Sequence, residues 1–429
     1  MKKLFSLFLT SCLVMSMLSA CSSSSSSSSG SSSTSSTAKT TELTLWMPPL
    51  SNNSDDAEMW AGILAPFEAE NNAKVSVEII PWSNYEEKYL TGITSGFGPD
   101  VGYMYMEMIS DFISMEAVEP LDSYMTAEDK ENYLYLENGF INGAQYCMPF
   151  VVGNAAIMVY NKDILEANGI TGIPATWEDF IAACQKIKTD TDGDGTADIY
   201  RYIDRWGNTA ISGMNTAFYP YLWQAGGSLF SEDGTEFTLD SEAGREAVQF
   251  LYDLRFTYDI LPEETTSLAK ADCLELFNSG KAAFCVMEAK NAASLDNTDI
   301  NWDYITSLTK ETMGTFIASD SLVLMSASEN KDLSMKLIRY MTNGDAMATF
   351  HESAPFPPIA KDEEYHDNTK FETIYEQQRE YLHSLAAVKG SYTIYEALYK
   401  NLQLMMIGEM TPDQVVSETT SYAQTVLAE

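Results

Sequence analysis

Apolar residues recur along the chain in two alternating rhythms. A short strand-like run at 42–47 is followed by Pro48 and Pro49, then by a helix-like segment in which Trp60, Ile63, Leu64 and Phe67 share one face. A second strand-like run occupies 75–80, and Tyr85, Tyr89, Leu90 and Ile93 carry the next helical pattern up to Gly96-Phe97-Gly98-Pro99. A third strand is predicted over 100–106. Strand, helix, strand in this order predicts a parallel sheet covered by helices, an α/β fold class. Farther along, the apolar run 150–160 reads as extended chain that crosses from one lobe to another. Helices are predicted over 162–168, 176–188, 241–258, 332–341, 370–385 and 394–407, and from Thr411-Pro412-Asp413 onward. Within 176–188, Thr176 is placed to cap, Asp179 stands at the third helical position, and Trp177, Phe180, Ile181, Cys184 and Ile187 recur at helical spacing. At Thr411 the following proline suits a first helical turn.

The amino terminus has a different pattern. Lys2 and Lys3 precede the apolar run 4–18 and then Ser19-Ala20-Cys21, the arrangement of a secretory signal too short to span a bilayer comfortably. Leu18-Ser19-Ala20-Cys21 resembles the lipobox of bacterial lipoproteins. That resemblance implies a signal peptide over 1–20, acylation of Cys21 as the mature amino terminus, and attachment to the extracellular face of the cell membrane. The alternative is an ordinary signal peptide cut near Ala20. Residues 22–40 are mostly Ser and Thr and cannot bury enough apolar surface to order themselves, so 21–40 reads as a lipidated tether.

Composition narrows the functional classes. With 429 residues, 45% hydrophobic and 12% aromatic, the chain has room for two domains with full cores. Only 25 Lys and Arg stand against 62 Asp and Glu, a formal charge of −37, which argues against nucleic acid because counterion release needs a concentrated cationic field. The same excess disfavours an anionic ligand and suits a neutral or cationic small molecule. Of six cysteines, Cys12 lies in the signal and Cys21 is the expected anchor. Cys147, Cys184, Cys273 and Cys285 remain, and for the close pair Cys273 and Cys285 both a disulfide and buried free thiols stay open. The three histidines, His351, His366 and His383, form no His-Glu-x-x-His motif, and neither a serine elbow nor a Gly-x-Gly-x-x-Gly loop is present. The expectation is a protein that is not an enzyme, with a secreted glycoside hydrolase and a surface glycan-adhesion module as the rival classes.

Several stretches carry a family resemblance. Gly96-Phe97-Gly98-Pro99-Asp100-Val101, Glu119-Pro120-Leu121-Asp122, Val159-Tyr160-Asn161-Lys162-Asp163 with Gly169, Ile173-Pro174 and Thr176-Trp177-Glu178-Asp179-Phe180 are similar to segments of the family 1 extracellular solute-binding proteins, the sugar-binding type related to maltose-binding protein. Phe277-Asn278-Ser279-Gly280-Lys281-Ala282-Ala283-Phe284 and Gly408-Glu409-Met410-Thr411-Pro412 extend the resemblance to nearly the whole chain after Thr41. It implies a two-lobed, type II periplasmic-binding-protein-like fold with discontinuous lobes joined by a hinge. Carried onto this sequence, 41–150 plus 312–350 form the first lobe and 151–311 plus 351–429 the second. The implied function is capture of a sugar or oligosaccharide, expected to be a neutral saccharide, between the lobes, with no cofactor required, and delivery to the transmembrane permease of an ATP-driven (ABC) importer.

A pyranose presents hydroxyls at its rim and C–H bonds on its faces, so its site needs aromatic surface edged by Asp, Glu, Asn or Gln. Strand-end positions in open α/β sheets face a crevice, which nominates Trp46, Trp82, Tyr103, Tyr105 and Glu107. In the second lobe Trp206, Tyr219, Tyr221, Trp223 and Gln224 are candidates, with Glu288 as a further acceptor and Trp302 as a further ring. Separately, Asp190, Asp192, Asp194, Gly195, Thr196 and Asp198 follow the oxygen spacing of a calcium loop, but the twelfth position is Arg201 where a bidentate Glu belongs. Asp204 could replace that donor. The other reading is an Asx-stabilised turn.

Overall fold

The computed structural model describes residues 39–51, 55–231, 233–354, 356–364 and 370–428. The expected signal with Cys12, the expected acylation site Cys21, most of the serine tether and His366 lie outside the described residues.

Strand β1 (Thr41–Met47) buries Leu43 and Leu45, and helix α1 (Asp56–Asn71) starts where the Asp55 carboxylate accepts the Ala57 N–H. Trp60, Ile63, Leu64 and Phe67 form its buried face, and left-handed Asn72 (φ 47°) ends it. Strand β2 (Ala73–Ile79), helix α2 (Tyr85–Ser95) and strand β3 (Val101–Tyr105) complete the alternation, and β2 and β3 flank β1 in parallel, with Leu45 opposite both Val77 and Val101. The aspartate of the glycine-proline-aspartate turn ties this edge together. Asp100 accepts from the Thr44 N–H (2.8 Å), the Thr44 hydroxyl (2.9 Å) and the Ser328 hydroxyl (2.6 Å).

After α3 (Met106–Ser114) the chain returns as β4 (Cys147–Gly153), turns at Asn154, and continues as β5 (Ala156–Asn161) into a second sheet. Here the apolar run 150–160 becomes two strands in two sheets. Gly153 (φ 141°) and Asn154 (φ 52°) make the bend; a Cβ on Gly153 would stand 2.6 Å from Pro357.

The second lobe then adds α4 (Trp177–Lys186), β6 (Tyr200–Ile203), α5 (Tyr219–Gln224), α6 (Glu242–Tyr252), α7 (Lys270–Asn278), β7 (Ala282–Glu288) and β8 (Trp302–Ile305). Its sheet runs β8-β5-β7-β6. Thr176 caps α4 by accepting the Asp179 N–H at 3.1 Å. Strand β9 (Thr315–Phe316) leads into β10 (Ala318–Leu324), which crosses back and inserts antiparallel between β3 and β4, giving the first sheet the order β2-β1-β3-β10-β4. Helices α8 (Lys331–Met341) and α9 (Gly344–Ser353) cover that sheet beside α1. Each lobe has its own aromatic core: Trp60 stacks on Phe350 (5.4 Å) in the first, and Trp177 on Phe250 (3.8 Å) in the second.

Two expectations change. The helix predicted over 370–385 is α-helical only at Glu372–Gln377 and continues as a 3-10 turn at Arg379–Tyr381; 382–383 is strand β11 (Leu382–His383), parallel to β9, because pairing at the lobe junction overrides local helical periodicity. The segment after 351 also begins in the first lobe. Leu134 N–H donates to Ile359 (2.8 Å), Tyr133 bridges Ala360, and Asn132 donates to the Asp362 carboxylate (2.6 Å), so the return to the second lobe falls after 364. Helices α10 (Ser391–Met406) and α11 (Pro412–Leu427) close the chain, the latter with the expected Thr411 cap and Pro412 in its first turn. No described helix is long and apolar enough to cross a membrane.

Candidate functional site

Where the two sheets face each other, a cleft of ≈ 470 Å³ opens, lined by both lobes and by the strands that join them. Its first-lobe wall follows from strand alternation. Tyr103 and Tyr105 are two apart on β3 and share a face, and the register of β10 sets Asp320 opposite Tyr105. The Tyr103 hydroxyl donates to Asp320, and the Tyr105 hydroxyl donates to Glu86 in the first turn of α2. Trp82 follows Pro81 and packs against Tyr85 (5.3 Å), Tyr103 (6.1 Å) and Tyr105 (6.2 Å), yet stays 45% exposed and offers a flat apolar face to the cleft.

Burial governs the carboxyls on this wall. It pushes Asp320 up to about 8, against the Tyr103 hydrogen bond and with help from the Glu107 charge. Glu107, in the first turn of α3, is pushed up to about 7 by burial, against its own N–H and with help from Glu86.

The second-lobe wall is built around Glu288 at the end of β7. Its carboxylate receives Arg205 (2.6 Å), Lys270 (3.3 Å) and the Asn291 amide (2.7 Å). Burial opposes ionisation of Glu288, but Arg205 and Lys270 outweigh it and hold the carboxyl down to about 2. Arg205 is itself positioned by donation to the Ser212 carbonyl (2.9 Å) and by its N–H on Asp204 (2.7 Å). Lys290 stands beyond Glu288, and Asn154 and Phe316 of the crossing strands form the floor.

Of the residues nominated from sequence, Tyr103, Glu107 and Glu288, with Trp82 and Tyr105, meet in this cleft. The others pack elsewhere. Trp46 is 5% exposed, edge-on to Tyr89 (5.1 Å) and pressed against Gly92, because its strand position faces α2. Trp206 stacks with Tyr399 of α10 (6.4 Å) and lines a separate hollow with Gln403. Tyr219 and Tyr221 are buried in the second core. Trp223 lies against His383 (5.0 Å), and Gln224 is consumed by the junction: it accepts from Trp177 Nε1 (2.7 Å) and donates to Ser307 (3.2 Å) and the Gly314 carbonyl (3.1 Å). Trp302 is buried beneath Lys370, whose ammonium is 3.0 Å from its ring centroid. Glu86, Asp320, Arg205, Lys270 and Lys290 were missed. A signal existed for Asp320, a lone carboxylate inside the apolar strand 318–324.

The aspartate loop is an exposed turn closed by its own backbone. Asp190 accepts from Gly193 (2.6 Å) and Gly195 (2.9 Å), Asp192 from Asp194 (3.0 Å) and Asp194 from Thr196 (2.7 Å), while Asp198 accepts from Thr191 (2.8 Å). Carboxylate oxygens of Asp190, Asp192 and Asp194 lie within 4.8 Å of one another. Arg201 turns away to the Asp259 carbonyl (2.7 Å), and Asp204 cannot complete the loop: it is buried, holding Tyr202 (2.7 Å) and Thr216 (3.1 Å). The donor set therefore fits the Asx turn better than a calcium loop. Cys147, Cys184, Cys273 and Cys285 are buried free thiols; Cys273 and Cys285 touch without a bond between them.

The sequence profile described as "Bacterial extracellular solute-binding protein" matches residues 51–348. A binding protein of Brucella abortus (strain 2308) is 25% identical over 384 residues, 84% of this chain and 88% of its own. The galactooligosaccharide-binding protein of Bacillus subtilis (strain 168) is 24% identical over 342 residues, 75% of this chain and 73% of its own. Among solved structures, an ABC substrate-binding protein from Listeria monocytogenes in complex with cycloalternan aligns with a TM-score of 0.74 at 21% identity, over 91% of this chain and 100% of that one. The likeness shows the same two-lobed, type II architecture.

Proposed function

The chain belongs to the family of bacterial extracellular solute-binding proteins, and from that premise we propose that it captures a saccharide in the interlobe cleft and presents it, chemically unchanged, to the permease of an ABC importer. The observation that carries this reading is the first-lobe wall: an exposed Trp82 face bordered by Glu86, Glu107 and Asp320. The ring suits the C–H face of a sugar, and the carboxyl oxygens suit its hydroxyls. The galactooligosaccharide named for the Bacillus subtilis relative and the cycloalternan in the Listeria monocytogenes complex point to the same ligand class. Hydrogen bonds of about 0.5–1.5 kcal/mol each from neutral groups and about 1.5–3 kcal/mol each from charged ones, several of them beside a stacked ring, support micromolar capture, which still permits release.

Isothermal titration against a panel of neutral and acidic glycans should find at least one saccharide bound one-to-one and recovered uncut after prolonged incubation. Binding confined to peptides, polyamines or metals would overturn the ligand class, and cleavage would favour the hydrolase. The receptor is proposed to sit on the outer face of the cell membrane through lipid on Cys21, supported by the Leu18-Ser19-Ala20-Cys21 motif. Labelling of cells with an alkynyl fatty acid should mark the protein and fail to mark Cys21→Ser; equal labelling of both would remove the anchor.

A further inference from the structure

The second-lobe wall carries more positive charge than its own carboxylate can neutralise. Arg205 and Lys270 share one partner, Glu288, at 2.6 and 3.3 Å. Lys290 is left over. Its ammonium reaches across to the first lobe, donating to the Leu50 carbonyl at 3.0 Å, and lies 5.3 Å from the Phe356 ring centroid. Among the described residues no carboxylate comes within 4.0 Å of it. Burial and the charge of Lys270 both push its pKa down; Asp56 works the other way, but its carboxylate already accepts from Leu50 (2.8 Å) and Ser51 (2.9 Å) N–H groups.

The opposite wall does not supply the missing charge in full. Glu86 is engaged by Tyr105 and Asp320 by Tyr103; burial favours the protonated form of Asp320 at neutral pH and raises Glu107 to about 7, which leaves that carboxyl only partly ionised there. When the lobes close, water leaves the cleft and an ammonium with a single carbonyl acceptor is poorly compensated. A sugar hydroxyl would give it a hydrogen bond. A carboxylate would give a hydrogen bond and a counter-charge.

We propose that Lys290 receives a carboxylate of the ligand, so that this cleft selects saccharides containing a uronic acid residue; the inference rests on the saccharide-receptor reading above. It departs from the neutral or cationic ligand that the total charge of −37 suggests. That field is screened beyond about 8 Å at physiological salt, whereas the contact at Lys290 is local and partly desolvated.

The test is titration of the full chain at pH 7 with matched pairs: trigalacturonic acid against its methyl ester, and glucuronosyl-xylotriose against xylotetraose. In at least one pair the acid should bind about tenfold or more tightly than its neutral partner. Lys290→Gln should bring that ratio toward one and Lys290→Arg should preserve it, with melting curves confirming that both variants fold. If Lys290→Gln fails to fold, the wild-type ratios together with Lys290→Arg still decide. Neutral partners binding as well as or better than the acids would overturn the inference and leave the saccharide receptor standing, as would an acid preference that Lys290→Gln leaves intact. Failure of every glycan, acidic or neutral, would overturn both.

Discussion

At the scale of single residues, two tryptophans separate binding from folding. Trp82 is 45% exposed on the cleft wall, whereas Trp223, a candidate from the sequence, is 9% exposed between His383 and Gly314. Trp82→Ala should therefore lower saccharide affinity about tenfold or more while shifting stability by no more than about 0.5 kcal/mol. Trp223→Ala should cost about 3–5 kcal/mol in folding stability, as truncation of a large buried ring does. Titration and urea unfolding of both variants decide; a reversed pattern would exchange their roles. The raised carboxyls make a second prediction. Asp320 at about 8 and Glu107 at about 7 hold protons in the folded state that the unfolded chain releases near 4. Between those values the native state binds more protons, so their contribution to stability falls as pH rises from about 5 to 8. Buried Asp204, pushed up to about 6, acts in the same direction, and Glu288, held down to about 2, loses its stabilising effect only below about 4.5. The urea midpoint should drop from pH 5.5 to pH 8 more steeply in wild type than in Asp320→Asn. Parallel slopes would show that Asp320 ionises as freely in the folded chain as in the unfolded one.

At the scale of elements, what could be read from the sequence was whatever short-range periodicity controls. The buried face Trp60, Ile63, Leu64 and Phe67, the Thr176 and Thr411 caps, and the opening strand-helix-strand order all depend on residues a few positions apart. The cleft depends on residues far apart. Tyr103 and Asp320 are 217 positions from each other and meet only because β10 inserts beside β3. Arg205 and Glu288 meet across 83 positions because β6 and β7 are neighbours. No pattern in either local segment announces the partner. The same reason explains the aromatic misplacements. Trp46 and Tyr103 both sit on strands of one sheet, but one faces α2 and the other faces the cleft, and the choice is a matter of register. In α5, Tyr219, Tyr221, Trp223 and Gln224 look like a sugar site by composition, yet the helix is only six residues long and buried on all sides, so its polar group serves the turn at 307–314. Helical periodicity failed at 382–383 because the extended lobe crossing offered strand pairing with 315–316.

At the scale of the whole molecule, the geometry divides into what must stay fixed and what can turn. Each sheet is closed by its own hydrogen bonds, and each lobe has an aromatic core that belongs to it, so neither lobe can deform cheaply. Beside the contact of α3 with the segment before α10, where Ser110 donates to the Val388 carbonyl (2.7 Å) and Gly390 N–H donates to Asp111 (3.2 Å), rotation falls to the crossing strands. There Gly153 and Asn154 already occupy positive φ, Ile317 N–H donates to His383 (2.8 Å), and Ala155 N–H donates to the Tyr375 hydroxyl (3.0 Å). A change of a few backbone angles at this junction that brought one wall toward the other while both cores persist would be the hinge form of domain closure, and it is the motion that solution scattering tests. The two walls reward that motion only with something between them. Asp320 and Glu107 lie on one side, Arg205, Lys270 and Lys290 on the other, and all lose water on approach. Small-angle X-ray scattering should show a smaller radius of gyration when a saccharide that titration proves to bind is present at saturation, with circular dichroism unchanged because secondary structure is conserved. An identical scattering profile with and without such a ligand would mean that the cleft binds as a preformed pocket, and the hinge at 153–154 would then have no role in recognition.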